Sequence, residues 1–158
     1  MFIELKSENK MKAFGKAIGA LLHGGEVIEL IGDVGSGKTT LAKGIAVGLG
    51  VDEYVQSPSF TINRMYEGHN HIKLAHYDFY RLDNAGIMTN ELQEMIRDPS
   101  TVTVIEWSGV IKGVLPMDRL SIQITSPTEN SRKLICTSGG DTSKKLEKQL
   151  NYDFITKY

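Results

Sequence analysis

The stretch Val27-Ile28-Glu29-Leu30-Ile31-Gly32-Asp33-Val34-Gly35-Ser36-Gly37-Lys38-Thr39-Thr40 decides how this chain is read. Its first five residues are short, mostly apolar and bounded by glycines, as expected of a buried strand. From Gly32 to Thr39 the residues fit G-x-x-x-x-G-K-[ST] at every fixed position. Glycines let the backbone curl so that successive amide hydrogens converge on phosphate oxygens. The helical pattern that follows presents its N-terminus, where unpaired amides and the macrodipole favour negative charge. Lys38 has the reach to meet β- and γ-phosphates, and the Thr39 hydroxyl is suited to Mg²⁺. A chance string in an ordinary loop would lack the strand before it and the helix after it.

A phosphate site of this kind needs an acid at the end of a neighbouring strand, to hold the metal shell or orient water. Glu106 ends the run Val102-Thr103-Val104-Ile105-Glu106-Trp107, in the position of such an acid. Asp78 lies in His76-Tyr77-Asp78-Phe79-Tyr80-Arg81, where period-two alternation puts His76 and Asp78 on one strand face. Pairing with Arg81 is the purely structural alternative for Asp78. His69, His71 and His76 read as surface or hydrogen-bonding histidines, not as a transition-metal set. For Trp107, packing and nucleotide stacking both stay open.

Outward from the loop, apolar residues recur at helical spacing over 10–22, with Ser7 as N-cap and Gly24-Gly25 closing the helix. A second helix is predicted over 38–48 and a third over 90–97. Strands are predicted over 61–66 and 73–79, joined through Gly68-His69-Asn70, and over 102–105, 120–125 and 133–137. Alternating helices and strands after a glycine-rich loop indicate an α/β protein. The fold expected is that of a P-loop NTPase, a central mixed β-sheet flanked by helices. The expected division is a nucleotide domain over 1–140, with 141–158 as a tail or short helix of the same domain.

Composition narrows the function. Apolar residues make up 41% of the 158 and charged residues 23%, the balance of a globular protein with a sizeable core. No apolar run approaches the roughly 18 residues of a membrane span, and the N-terminus lacks the pattern of a signal peptide. The single cysteine, Cys136, sits in an alternating run that reads as a strand and is expected to be a buried thiol. A cytoplasmic location is expected. With 18 basic residues against 19 acidic, the chain has no surplus of positive charge for gripping nucleic acid. Any work on a nucleic acid would go mainly through a partner.

Three classes of P-loop protein compete. A GTPase would add D-x-x-G and N-K-x-D. Asp83-Asn84-Ala85-Gly86 matches the first, but Asn9-Lys10-Met11-Lys12 lacks the aspartate of the second and precedes the loop. A small-molecule kinase would gather arginines around the transferring phosphoryl group. Here Arg64, Arg81, Arg97, Arg119 and Arg132 are widely spread. The kinase remains the leading alternative to an ATPase that switches or drives a partner.

The ordered set of motifs resembles the TsaE family, also called YjeE. The resemblance is carried by the P-loop with Thr40, by Gly48-Leu49-Gly50 and Ser57-Pro58-Ser59-Phe60-Thr61, and by His76-Tyr77-Asp78-Phe79-Tyr80-Arg81-Leu82. It continues through Ile105-Glu106-Trp107 and Leu115-Pro116-Met117-Asp118-Arg119-Leu120, and spans residues 4–140. It implies a Mg²⁺-dependent ATPase, weakly active alone, that assists N6-threonylcarbamoylation of adenosine 37 in tRNA. TsaB- and TsaD-type partners are implied, with tRNA met mainly through them. By position, Gly35, Ser36, Gly37, Lys38, Thr39 and Thr40 would bind nucleotide, with Arg132 and the start of the first helix near Ser7 beside it. Thr39 and Glu106 would serve the metal, and Lys38, Asp78 and Glu106 would be catalytic. The serine-rich loop, through Ser57 and Thr61, would sense the γ-phosphate.

The chain departs from the family pattern in three places. Ser59 stands where threonine is usual, which keeps the hydroxyl. The stretch 85–100 does not read as the proline- and acid-rich helix expected there, and Ser108-Gly109 follows Trp107 in place of a pair ending in an acid.

Overall fold

The computed structural model describes residues 1–157 apart from Ala85 and Ile87, and their side chains as far as Phe154. The elements in chain order are β1 (Phe2–Leu5), α1 (Glu8–Ala20), β2 (Val27–Ile31), α2 (Lys38–Gly48), β3 (Asn63–Glu67) and β4 (Lys73–Asp78). They continue with α3 (Met88–Arg97), β5 (Thr101–Glu106), β6 (Leu120–Thr125), β7 (Arg132–Ser138) and α4 (Asp141–Lys157). Asp83–Gly86 and the stretch 85–100 both include residues outside those described.

Strand order is β1-β7-β6-β2-β5-β4-β3. The central strands β6, β2, β5 and β4 run parallel, and β1, β7 and β3 pair antiparallel at the two edges. The sheet is therefore mixed, as expected of the P-loop fold. Its parallel centre explains the near-continuous burial of β2, β4 and β5, which have helices or loops on both faces. β1 was not expected. It is a four-residue edge strand held on β7, with Leu5 buried and Phe2 exposed.

One face of the sheet carries α1, α2 and α4 over a core that includes Phe14, Ile18, Leu41, Ile45 and Leu150. Each such side chain contributes about 1.5–3 kcal/mol on burial. Ser7 caps α1 as expected, its hydroxyl accepting from the Lys10 amide at 3.2 Å, but the helix starts at Glu8 and ends at Ala20, capped by Leu21 and short of Gly24-Gly25. The α1–α2 contact is unusually close because glycines meet across it. A Cβ added at Gly19 would lie 2.1 Å from the Ile45 carbonyl oxygen, and one at Gly48 would lie 2.3 Å from that of Lys16. This seam fixes α2, and with it the loop that feeds it. In α4, Leu146, Leu150 and Phe154 are buried, Phe154 edge-on to Phe14 at 5.1 Å. The opposite face holds a second core of Tyr77, Phe79, Leu92, Ile105, Ile111 and Leu115 under α3 and the turn after β5. Cys136 is buried, and burial raises its thiol pKa to about 12.

Candidate functional site

The carboxyl ends of β2, β4 and β5 lie side by side, so whatever follows each strand meets at one edge of the sheet. After β2 the loop turns on Gly35 (φ 79°) and Gly37 (φ 104°), left-handed values that a side chain rarely adopts. α2 then starts at Lys38 with its free amides at the loop. Register sets Asp78 directly opposite Glu106, and Glu106 opposite Leu30. Two acids from distant segments are thereby delivered beside the loop.

A cavity of about 480 Å³ opens there. Of the residues singled out from the sequence, Gly35, Gly37, Lys38, Thr39, Thr40, Ser57, Asp78, Glu106 and Arg132 line it, and Ser7 joins them from the start of α1. Ser36 is buried under the loop, its carbonyl accepting from Arg132 Nε at 2.8 Å. Thr61 does not line the cavity; its hydroxyl donates to the Asn63 carbonyl at 3.1 Å.

Lys38 Nζ donates to the carbonyls of Gly32 at 2.7 Å and Asp33 at 2.8 Å, and stands 4.3 Å from the centre of the Trp107 ring. Burial lowers the pKa of its ammonium group, against the opposing pull of Glu106, Asp78 and Asp33. Arg132 ties the loop to the β6–β7 connection. Its Nη1 donates to the carbonyls of Thr128, Glu129 and Ser131, and Nη2 reaches Gly35 O at 3.4 Å.

Both acids are almost fully buried. Asp78 accepts from the Ser59 hydroxyl at 2.9 Å and the Tyr80 amide at 2.9 Å. Among the described residues no ion pair joins it to Arg81, whose guanidinium lies 4.3 Å over the Phe60 ring. Glu106 Oε1 lies 2.9 Å from His76 Nε2 and 3.5 Å from the Thr39 hydroxyl. Oxygen donors from Thr39 and Glu106 in one polar cavity are the kind a hard cation such as Mg²⁺ takes. The loop amides and Lys38 suit phosphate. The residues present therefore fit both groups.

Trp107 turns its backbone left-handed (φ 57°), a costly conformation for a bulky residue, to set its ring against Lys38 and Tyr80. The next residue anchors that turn, because the Ser108 hydroxyl donates to buried Glu29. Glu29 also accepts from Arg119 Nε and the Ser121 hydroxyl, each at 2.7 Å. Burial pushes the Glu29 carboxyl up, but those three partners outweigh it and leave the pKa below its ordinary value.

Sequence reasoning did not single out His76, Ser59 or Tyr80 as parts of the site. His76 and Asp78 were placed on one face by alternation, but His76's partner belongs to another strand. Ser59 was read within the Ser57–Thr61 loop, but not as a partner of Asp78.

The family model described as threonylcarbamoyl adenosine biosynthesis protein TsaE matches residues 5–134. The chain belongs to the TsaE family. A tRNA threonylcarbamoyladenosine biosynthesis protein TsaE from Bacillus subtilis is 35% identical over 140 residues, 89% of this chain and 87% of that protein. The protein of the same name from Borreliella burgdorferi is 37% identical over 123 residues, 76% of this chain and 87% of the relative. Among solved structures, YdiB of Bacillus subtilis superposes with a TM-score of 0.81 at 30% identity, over 97% of this chain and 95% of that one. Family membership and the P-loop fold mark the chain as a nucleotide-binding protein of the threonylcarbamoyladenosine system. Among the described residues no helix is long and apolar enough to cross a membrane.

Proposed function

We propose that this protein is a Mg²⁺-dependent ATPase that supports N6-threonylcarbamoylation of adenosine 37 in tRNA, working through TsaB- and TsaD-type partners. The observation that carries the reading is the convergence of Lys38, Thr39, Asp78 and Glu106 on one cavity at the carboxyl edge of the parallel strands. In this reading the amides from Gly35 to Thr40 cradle the phosphates, Lys38 meets the terminal phosphate oxygens, and Arg132 braces the loop. Thr39 and Glu106 hold Mg²⁺, which when bound neutralises charge on those oxygens. Asp78 orients the attacking water. Its bond from Ser59 makes the serine-rich loop, with Ser57 and Thr61, the switch that responds to the γ-phosphate.

A kinase finds less support, since among the described residues Arg132 is the one arginine lining the cavity and it donates to loop carbonyls. The near-neutral charge fits contact with tRNA mainly through the partners. We place the protein in the cytoplasm and treat 1–140 and 141–158 as one unit, since α4 packs into the α1–α2 core.

The test is Mg²⁺-dependent ATP hydrolysis alone and with TsaB, TsaD and tRNA, with Lys38→Ala as control. A low basal rate that rises with the partners and disappears in the variant is expected. A rate that partners and tRNA leave unchanged refutes the assignment.

A further inference from the structure

We infer that His76 is the positioning residue that aims Glu106 at the metal, an inference that rests on Glu106 belonging to the Mg²⁺ shell. His76 is 0% exposed, in the middle of β4. Opposite it in register is Val104, and Glu106 follows two residues on, on the same face of the sheet. The ring reaches diagonally across, and Nε2 lies 2.9 Å from Glu106 Oε1.

The other ring nitrogen makes the case. Nδ1 is buried and has no hydrogen-bond partner among the described residues. A carboxylate oxygen accepts, so in this contact Nε2 is the ring's donor toward Glu106. A histidine kept for packing alone would be better replaced by an apolar residue, since a buried polar atom without a partner is costly. The one hydrogen-bond contact this ring makes among the described residues goes to Glu106.

Glu106 needs it for two reasons. The terminal torsion of a glutamate is soft, so an unheld carboxyl swings. The contact from Thr39 is long at 3.5 Å and fixes it poorly. Directly opposite stands Asp78, a second buried acid, and like charges across a strand pair repel. With Oε1 held by His76, the Glu106 carboxyl is fixed beside Thr39, while Asp78 is held separately by Ser59 and Tyr80.

The experiment compares binding of a non-hydrolysable ATP analogue in Mg²⁺ and in EDTA, for wild type, His76→Gln, His76→Asn, His76→Leu and Glu106→Gln. Glutamine can carry an N–H to the position of Nε2, whereas asparagine reaches only that of Nδ1. In the asparagine and leucine variants the gain in affinity from Mg²⁺ should fall about 10–100-fold, as for other outer partners of metal ligands. Affinity in EDTA should stay as in wild type, and the glutamine variant should keep its Mg²⁺ gain. The asparagine–glutamine contrast survives even where leucine does not fold. If all three His76 variants keep the gain while Glu106→Gln loses it, the positioning role is overturned and the metal assignment stands. Equal loss in Mg²⁺ and EDTA reduces His76 to packing and overturns it as well. If Glu106→Gln itself keeps the gain, the metal assignment fails first.

Discussion

Lys38 enters the cavity six residues after Gly32, and its hydrogen-bond partners all lie between Gly32 and Ser36. Glu106 enters from the opposite wall, and its partners His76 and Thr39 are 30 and 67 residues away in sequence. The basic wall is one contiguous segment, shaped by its own glycines and by the helix it begins. The acidic wall exists only once β2, β4 and β5 are in register. The difference teaches that the two walls fail differently. Damage to the first stays local, whereas the second depends on the sheet and on loops that pack over its end.

The sharpest way to break the comparison is Lys38→Ala. It removes the cation nearest the expected phosphates and leaves the loop backbone and both acids in place. Hydrolysis should fall by about 10²–10³-fold, the usual cost of losing one preorganised charge-stabilising group. Thermal denaturation should show little change in the variant. A large loss of stability would mean that the lysine's bonds to Gly32 and Asp33 support more than the loop, and damage to the basic wall would not stay local.

Gly48→Ala tests the basic wall's other support. The added methyl meets the Lys16 carbonyl, so α1 and α2 must separate. A cost of about 1–3 kcal/mol is expected from such overpacking. It should appear as a lower melting temperature, with nucleotide affinity falling alongside as α2 shifts. An unchanged melting temperature would show that the seam is looser than the glycines suggest.

These two walls also mark where the sequence could be read. The loop, its strand and its helix were legible because local rules determine them: β2 spans Val27–Ile31 and α2 begins at Lys38, both as predicted. Asp78 and Glu106 were legible as strand-end acids. β1 was not, because four edge residues with alternating exposure carry little pattern. β3 was expected to start at 61 but starts at Asn63, since the chain first turns through Ile62 at φ 70°. The His76–Glu106 and Ser59–Asp78 bonds were illegible for a different reason. Each needs the relative placement of two segments, which no periodicity within either one records.

Ser59→Ala probes the acidic wall from outside the sheet. It removes the hydroxyl that donates to Asp78 at 2.9 Å and leaves the Tyr80 amide in place. A hydrogen bond to a charged group is worth about 1.5–3 kcal/mol. Steady-state kinetics should show kcat lowered by about tenfold, at the low end of that range. KM for ATP should change little, because the phosphate contacts are made by the basic wall. Rescue by Ser59→Thr, which keeps a hydroxyl at this position, is expected. A rise in KM without a fall in kcat would assign Ser59 to substrate binding.

The smallest expected effect lies at the far end of β5, the strand that carries Glu106. Asp98 accepts from the Ser100 amide at 2.9 Å, the Ser100 hydroxyl at 2.7 Å and the Thr101 hydroxyl at 2.8 Å, closing the turn into the strand. The Ser100 amide is the main cause, followed by the two hydroxyls, of a carboxyl pKa lowered from 3.8 to about 2. A carboxylate depressed on folding adds stability above its unfolded value and loses it as pH falls through the folded one. The contribution should therefore be whole above about pH 4 and fade toward pH 2. Denaturant titrations between those limits should show a shallower loss of stability in Asp98→Asn than in wild type. Because the side chain is at the surface, solvent screens the effect and the change should be slight. ATP hydrolysis near neutral pH should be nearly unchanged, since β5 is held in register by β4 from Thr101 to Glu106 and by β2 from Thr103 to Glu106. A clear loss of hydrolysis would show that this distant turn sets the height at which Glu106 meets Thr39, and that the acidic wall is positioned from both ends of its strand.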